Sequence, residues 1–217
     1  MLELYRTVRR SNSAEIVIKK SRFIGHVLPV ESEDEALQFI ERIKKEHWSA
    51  NHNCSAYVVG DKDQFQKASD DGEPSGTAGK PMLEVIKRQQ LKNVCVVVTR
   101  YFGGIMLGAG GLIRAYTDAT VEGLASAEPM YRALHQEVRV SIDYTWLGKV
   151  ENELRNRAMW MDETEFTDKV TLVCLPLYAE RERFAAWMTD LTQGQGEIVM
   201  GEARYVEHEQ DPTAVEP

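Results

Sequence analysis

The sequence lacks any run of 18 or more apolar residues, and its first residues lack the basic-then-apolar order of a secretory signal. A helix that spans a bilayer needs about 20 mostly apolar residues, and a signal peptide needs a charged segment before an apolar one. These absences argue against a membrane-spanning or secreted protein. We expect a soluble, cytoplasmic protein without a membrane partner.

Cysteine is also scarce. Cys54, Cys95 and Cys174 are odd in number and far apart, and no CxxC pair occurs. This usage excludes a disulfide framework and suits a reducing compartment. Each cysteine lies in an apolar run, where a thiol behaves as a small buried hydrophobe. No ligand spacing typical of zinc is present, so we expect no metal and no cofactor.

An excess of positive charge is lacking as well. The formal net charge is -8 at pH 7, which argues against indiscriminate nucleic-acid binding. The charge is uneven, because residues 1–133 carry 18 Lys and Arg against 17 Asp and Glu, whereas residues 134–217 carry 8 against 17. Since nucleic-acid binding neutralises phosphates with Lys and Arg, any phosphate-contacting surface belongs to the first part of the chain.

The first 131 residues predict a domain of mixed structure. Apolar patterning predicts a strand hairpin over 14–20 and 22–30, and Ser32 followed by Glu35 predicts the start of a helix that ends near residue 47. Further strands are expected at 53–60 and 94–100. Helices are expected at 82–90, opened by Pro81, and at 112–126. Residues 61–80 lack periodicity and predict a long loop, which in a compact domain is usually functional.

The pattern changes after residue 137. Strands are expected at 138–142, 162–168, 170–177 and 197–206, and helices at 147–158 and 180–191. This βαββαβ order is the ferredoxin-like arrangement. With Pro129 as the boundary marker, we predict an α+β protein with domains at 1–131 and 132–208. Residues 209–217 are polar and contain proline, which predicts a flexible tail.

Five glycines lie between the predicted buried strand and the helix that follows it: Gly103, Gly104, Gly108, Gly110 and Gly111. Glycine weakens ordered structure, so its use here indicates positive φ or a close approach of another group. A glycine-rich turn before a helix can present free N–H groups to an anion. The spacing does not match GxGxxG, so a dinucleotide site is not indicated. A tight packed turn and an anion site remain as the two interpretations.

The segment DDGEPSGTAGKP at residues 70–81 ends in Gly79-Lys80, as a P-loop does. Proline follows the lysine where Ser or Thr should stand, and the earlier glycine is misplaced, so this is not a Walker A motif. The carboxylates of Asp70, Asp71 and Glu73 could hold a hard cation. The alternative is a solvated loop with Asx turns.

Two further groups of residues could carry chemistry. His52 and Cys54 share one face of the predicted strand, where a base beside a thiol could form a nucleophilic site; the alternative is a partly buried structural histidine. Arg100, Tyr101, Phe102 and Arg114 bracket the glycines. Arginine beside an aromatic ring suits single-stranded nucleic acid, and Lys80 could extend that surface together with Lys87, Arg88 and Lys92. The alternative is an ordinary solvated helix face with Tyr101 and Phe102 in the core.

Three blocks in this order resemble the YigZ/IMPACT family: HNCSAY (52–57), SDDGEPSGTAGKP (69–81) and VVVTRYFGGIMLGAGGLIRAY (96–116). The resemblance covers about residues 15–127. It implies a first domain similar to the second domain of ribosomal protein S5, and a second domain similar to the ferredoxin-like domains of elongation factor G. Eukaryotic relatives act in translational control, through a kinase pathway that bacteria lack, so their partner is not carried over. The resemblance supplies no catalytic mechanism.

The leading hypothesis is a non-catalytic binding protein linked to translation or stress. It would contact RNA, the ribosome or a translation-related protein, with Lys80, Arg100 and Arg114 at phosphate, Tyr101 stacking and the five glycines permitting close approach. The alternative is an enzyme acting on a small phosphorylated or metal-bound ligand at the 70–80 and 103–111 segments. Its candidate residues are His52, Asp70, Asp71, Glu73, Ser75 and Thr77. A pure protein-interaction module is a third hypothesis, and no feature of the sequence indicates an oligomeric state.

Overall fold

The computed structural model describes residues 2–214 and divides into two compact units. The first consists chiefly of Tyr5–Tyr131 and the second chiefly of Arg132–His208. Together the described residues form ten strands and five α-helices. The predicted α+β class is confirmed.

The first part of the described chain contains six strands and three α-helices. In chain order they are β1 (Leu4–Val8), β2 (Asn12–Ile18), β3 (Ser21–Pro29), α1 (Glu33–Glu46), β4 (His52–Val59), β5 (Phe65–Ser69), α2 (Gly79–Arg88), β6 (Val94–Tyr101) and α3 (Gly108–Ser126). Five of these strands form one sheet in the order β2-β3-β6-β4-β5. Neighbouring strands in it run antiparallel.

β6 is the central strand, and its two faces are buried under different helices. Val94, Val96 and Val98 belong to a core that includes side chains of α2 and α3. Cys95 and Val97 belong to a second core that includes side chains of α1. Because successive side chains on a strand point to opposite faces, Arg100 continues the α2–α3 face and Tyr101 the α1 face. The nearly continuous apolar run of β6 therefore reflects burial on both sides.

The predicted hairpin, the first helix and the buried strand are present. Ser32 caps α1 and accepts a hydrogen bond from the Glu35 backbone N–H at 3.2 Å, as its sequence predicts. The loop predicted at 61–80 is wrong in part, since residues 65–69 form β5. The side chains of β5 are almost all exposed, so this edge strand forms by backbone pairing with β4 and leaves no hydrophobic periodicity.

Both helices that follow begin earlier than predicted. α2 begins at Gly79 rather than at Met82, and α3 begins at Gly108 rather than at Leu112. The prediction stopped at glycine because glycine is a poor helix former. As a result, three glycines that were assigned to a loop form the first turn of α3.

The second unit contains β7 (Pro129–Ile142), α4 (Tyr144–Asn156), β8 (Met161–Phe166), β9 (Val170–Cys174), α5 (Arg181–Leu191) and β10 (Glu197–His208). β7 lies between β10 and β9, and β8 pairs with β9 on its other side. Pro129, which we expect to mark the boundary between the two domains, is the first residue of β7, a position where a strand tolerates proline. Val140, Leu172, Leu154 and Met188 are central members of the core of this unit.

The chain beyond β10 has no helix or strand between residues 209 and 214. The rest of the predicted tail, residues 215–217, lies outside the described residues. Within residues 2–214, no helix combines the length and the apolar character needed to cross a membrane.

Candidate functional site

The sequence blocks that carry the resemblance meet at one end of the first-unit sheet. Arg100 at the end of β6 lies opposite His52 at the start of β4. The segment between β5 and α2 brings Glu73 against them, and α3 brings Tyr116. We call these four side chains the Glu73 cluster. The first and the last of them in the sequence, His52 and Tyr116, are 64 residues apart. Only the tertiary fold joins them.

Glu73 is the centre of this cluster. Its Oε1 accepts a hydrogen bond from Arg100 Nη1 at 2.6 Å and one from the Tyr116 hydroxyl at 2.8 Å. Glu73 is 7% exposed, Arg100 6%, and Tyr116 is fully buried. Burial is also the main cause that raises the pKa of Tyr116, so the phenol stays protonated and donates. A buried carboxylate needs this kind of pairing to remain charged.

His52 is the part of the cluster nearest to solvent. Its Nδ1 lies 2.9 Å from the carbonyl oxygen of Asp71. Because a carbonyl only accepts, this contact places the proton on Nδ1. The Nε2 atom is then left facing Glu73 Oε1 at 3.9 Å. The imidazole is thus held in one tautomer, with its Nε2 atom on the side of the Glu73 carboxylate.

The two aspartates of the 70–81 segment have other partners. Asp70 accepts hydrogen bonds from the backbone N–H groups of Gly76, Ala78 and Gly79 at 2.8, 3.1 and 2.8 Å. It thereby caps the amino terminus of α2. Burial works to raise the pKa of Asp70, but these three N–H groups outweigh it and lower the pKa.

Asp71 ties the same segment to β4 and α1. One carboxylate oxygen accepts from the Asn53 backbone N–H at 2.6 Å, and the other lies 3.0 Å from Lys44 Nζ. The carboxylates of Asp70, Asp71 and Glu73 thus bind different protein groups and do not form the cation site that the sequence suggested. No group of three or more His, Cys, Asp or Glu side chains in the described part of the chain could hold a metal ion.

The remaining candidates of this segment are structural in their contacts. Thr77 is buried and its hydroxyl donates to the Pro74 carbonyl at 2.7 Å, while Ser75 is exposed. Cys54 donates to the Asp70 carbonyl at 3.0 Å. Burial raises the pKa of Cys54 to about 12, so this thiol does not form the nucleophilic thiolate considered from its spacing to His52.

The five glycines divide into two groups. A Cβ at Gly103 would lie 2.1 Å from the backbone C and O atoms of Lys20, and one at Gly111 would lie 3.2 Å from Leu107 Cβ. These two positions fit the interpretation of a packed turn. Gly104, Gly108 and Gly110 instead face open space, and the first two have φ of +83° and +71°. At Gly110 neither backbone angle nor packing requires glycine, which leaves its backbone accessible to a ligand.

The cationic and aromatic candidates do not share one surface. Arg100 is buried against Glu73, which turns its guanidinium away from any phosphate in solvent. Tyr101 lies on the α1 face of the sheet, where its hydroxyl is 2.9 Å from His47 Nδ1. Lys80 and Arg114 are exposed, as expected for residues that contact an external partner. Arg114 also donates to the Gly110 carbonyl at 3.3 Å.

A groove of ≈ 380 Å³ lies between α2 and α3. The cations that line it are Lys80 and Arg88, together with one acid, Glu84, and the apolar side chains of Val85 and Ile113. The first turn of α3 carries no acidic residue, and no described side chain caps it. The groove and this turn form the most cationic part of the candidate site.

Sequence reasoning missed two features of the site. Tyr116 is the last residue of the sequence block at residues 96–116. A tyrosine within an apolar helix does not by itself indicate that its hydroxyl binds a carboxylate. The pairing of Arg100 with Glu73 was also missed, because these residues are 27 positions apart. Arg88 was proposed as an extension of the basic surface, and the structure places it beside the groove that Lys80 also lines.

Comparison with known proteins agrees with these blocks. Residues 19–124 match the Impact N-terminal domain. The chain is 53% identical over 207 residues to the IMPACT family member YvyE of Bacillus subtilis, covering 95% of both chains. The chain belongs to the IMPACT family. This confirms the family predicted from the sequence. Residues 140–195 match a second family, described as a domain of unknown function (DUF1949).

Other members of the IMPACT family match this chain over different lengths. The YigZ protein of Escherichia coli is 35% identical over 185 residues, which covers 84% of this chain and 90% of YigZ. The Protein IMPACT of Rattus norvegicus matches 103 residues at 37% identity, which is 45% of this chain and 32% of that protein. A crystal structure described as that of a hypothetical protein superposes with a TM-score of 0.59 at 32% identity. It covers 93% of this chain and 99% of the other.

Proposed function

We propose that this IMPACT family member is a non-catalytic binding protein of the cytoplasm, linked to translation or a stress response, that contacts RNA through its first unit. The RNA would be free or part of the ribosome. A translation-related protein partner is the other form of the same hypothesis. The uneven charge of the chain supports the choice of the first unit, because the acidic residues 134–217 would repel a polyanion.

We extend the proposal to the fold of each unit. A ferredoxin-like second domain, similar to domains of elongation factor G, is supported by its two helices and by the pairing of β7 with β9 and β10 and of β9 with β8. The first unit would be similar to the second domain of ribosomal protein S5. Both kinds of domain occur in proteins that contact RNA, although a shared fold does not establish a shared function.

The single observation that carries the RNA proposal is the groove between α2 and α3. Lys80 and Arg88 line it, and Arg114 is exposed one turn beyond the uncapped first turn of α3. Cationic side chains and free backbone N–H groups are the donors that bind phosphate oxygens. Ile113 and Val85 add apolar surface to the same groove. We assign phosphate contact to Lys80, Arg88 and Arg114, and not to the buried Arg100.

A titration of fluorescently labelled RNA at several salt concentrations tests this function. We expect the affinity for RNA to fall as the salt concentration rises. The slope of log K against log salt should be negative, with a magnitude of about 0.7–0.9 for each phosphate contact. Lys80→Ala, Arg88→Ala and Arg114→Ala should each weaken binding and reduce that slope by about one. Lys169→Ala removes the same charge from an exposed position in the second unit and should leave binding unchanged. Salt-independent binding, or no binding, would overturn the proposal.

A second function has specific support from the Glu73 cluster. The Asp71 carbonyl holds His52 in one tautomer and leaves Nε2, 3.9 Å from Glu73 Oε1, as the basic nitrogen of the ring, which is the atom that a general base uses. In this alternative the protein is an enzyme that acts on a small phosphorylated ligand at the 70–80 and 103–111 segments. Phosphate release from a panel of small phosphate esters would test it. Activity that is lost in His52→Gln would support the alternative, and its absence from the wild type would exclude the hydrolytic form.

A further inference from the structure

Two large aromatic side chains are exposed at the end of the first-unit sheet that carries the Glu73 cluster. Trp48 is 83% exposed and Phe102 is 47% exposed. Asn51 connects their segments, because its Oδ1 accepts from the Phe102 backbone N–H at 2.8 Å and its own N–H donates to the Arg100 carbonyl at 3.0 Å. Exposed aromatic rings are the groups on which the bases of a single strand stack.

One face of the Phe102 ring is covered by Arg100. The Arg100 guanidinium lies 5.5 Å from the centre of the Phe102 ring, and Glu73 holds that guanidinium. Stacking of arginine on an aromatic face is favourable. One side of the ring is therefore occupied, while nearly half of the side chain remains open to solvent. Arg100 acts here as a positioning residue for Phe102 and makes no external contact of its own.

Two lysines lie on the turn that packs against Gly103, the residue after Phe102. The turn between β2 and β3 consists of Lys19 and Lys20, both exposed, with φ of 46° and 66°. The turn packs against Gly103, the residue that follows Phe102, and the Gly103 N–H donates to the Ser21 hydroxyl at 3.1 Å. The two ammonium groups are thus carried by a turn whose backbone is fixed beside the aromatic ring.

We propose that Trp48, Phe102, Lys19 and Lys20, which we call the aromatic–lysine surface, bind single-stranded RNA by base stacking and phosphate pairing. The inference rests on the proposed RNA-binding function and names the form of RNA that is bound. Stacking on protein aromatics requires bases that are not already stacked within a duplex. Lysine is depleted at protein–protein interfaces, so the two lysines favour a polyanionic partner over a protein.

The glycine segment connects this surface to the groove between α2 and α3. Phe102 begins the segment, and Gly108 begins α3, whose first turns border the groove through Ile113. A strand whose bases stack on the aromatic–lysine surface can therefore continue along the exposed backbone of Gly104 and Gly108 to Lys80 and Arg114. Aromatic rings with a cationic groove are the usual parts of a single-strand binding surface.

The test compares a short single-stranded RNA with the same RNA annealed to its complement. We expect the intact protein to bind the single strand more tightly than the duplex. Trp48→Ala and Phe102→Ala should each weaken binding of the single strand by about 5-fold or more, the effect of losing one stacked base, and change duplex binding by less than about 2-fold. Phe65→Ala removes a comparably exposed ring, 43% exposed on β5, and should have no effect.

Tryptophan fluorescence gives a second readout, because Trp48 is the sole tryptophan before residue 146. Adding the single strand should quench the emission, and the quenching should be absent in Trp48→Phe. Equal effects of Trp48→Ala on both RNA forms, or none on either, would overturn the inference. The proposed function would remain supported in that case if the Lys80→Ala and Arg88→Ala variants lose RNA binding. Absence of any RNA binding would overturn both.

Discussion

Arg100 and Glu73 form an ion pair inside the first unit, with Arg100 Nη1 2.6 Å from Glu73 Oε1 and both side chains more than nine-tenths buried. The pair joins the last residue but one of the central strand to the segment before α2. The pair also explains why Arg100 is buried although Tyr101 and Phe102 follow it at the end of the strand. Tyr116 completes the pairing of the carboxylate.

Removing either partner of this pair should destabilise the protein strongly. Arg100→Met leaves Glu73 as a buried charge without a cation, and Glu73→Gln leaves the guanidinium unpaired. We expect each substitution to lower the free energy of unfolding by about 3–5 kcal/mol, measured by urea denaturation. The double variant should be less destabilised than the sum of the two. Strict additivity would show that the two groups do not interact in solution.

Asp70 should make the first unit sensitive to acid. The hydrogen bonds that it accepts from three backbone N–H groups lower its pKa in the folded protein. Its contribution to stability is therefore present above the pKa that Asp70 has in the unfolded chain, and it is lost as pH falls through the pKa of the folded protein. Asp70→Asn should therefore cost about 1 kcal/mol near neutral pH, and this cost should shrink as pH falls below about 4. Unfolding measured at neutral pH and at low pH checks this.

The control for Asp70 is Asp118→Asn, which changes an exposed carboxylate on α3. It should leave stability nearly unchanged at both pH values. A loss in Asp70→Asn that is equal at neutral and acid pH would contradict the assignment of the carboxylate as a helix cap.

Two glycines of one segment should respond in opposite directions to alanine. At Gly103 the new Cβ would meet the Lys20 backbone at 2.1 Å, so Gly103→Ala should lower stability by more than about 1 kcal/mol. At Gly110 the Cβ meets open space inside a helix, so Gly110→Ala should raise stability by up to about 1 kcal/mol. Thermal unfolding of both variants measures the difference.

Gly110→Ala also distinguishes an effect on stability from an effect on RNA binding. If RNA approaches the backbone of Gly110, Gly110→Ala should weaken RNA affinity although the fold is more stable. Unchanged affinity would place the phosphate contacts on the side chains of Lys80, Arg88 and Arg114 alone.

The second unit contains a histidine pair that should respond to pH. His135 Nδ1 lies 2.6 Å from the Leu175 carbonyl and carries the proton, so His135 Nε2 accepts from His208 Nε2–H at 2.9 Å. Burial lowers the pKa of both histidines, and so do nearby positive charges, Arg204 for His135 and His135 for His208. The unfolded chain therefore binds more protons, and stability falls as pH drops below about 6.5.

Denaturation near pH 7.5 and near pH 5.5 tests this relationship. The wild-type protein should lose more unfolding free energy between the two pH values than His135→Gln does. His26, whose pKa burial lowers to about 4, is present in both proteins and contributes equally. The same pH dependence in both would show that the pair does not titrate with folding.

The sequence by itself determined the α+β class, the family, the hairpin, the Ser32 cap and the central strand. These features follow from local patterns, since periodicity, capping residues and a continuous apolar run each act within a few residues. It also identified the three segments that the fold brings together at one end of the first-unit sheet. It did not find β5, because pairing with β4 stabilises that edge strand and its own side chains remain exposed.

Only the tertiary structure decided which of those residues meet and which face solvent. Arg100 was expected at phosphate, yet Glu73 from a distant segment buries it, and Asp70 was expected to bind a ligand, yet it caps α2. A charged side chain is stabilised by whichever partner the fold brings within hydrogen-bond distance. For Arg100 that partner is Glu73, 27 residues away in the chain, and for Asp70 the donating N–H groups lie six to nine residues ahead. Neither pairing follows a local pattern of the sequence.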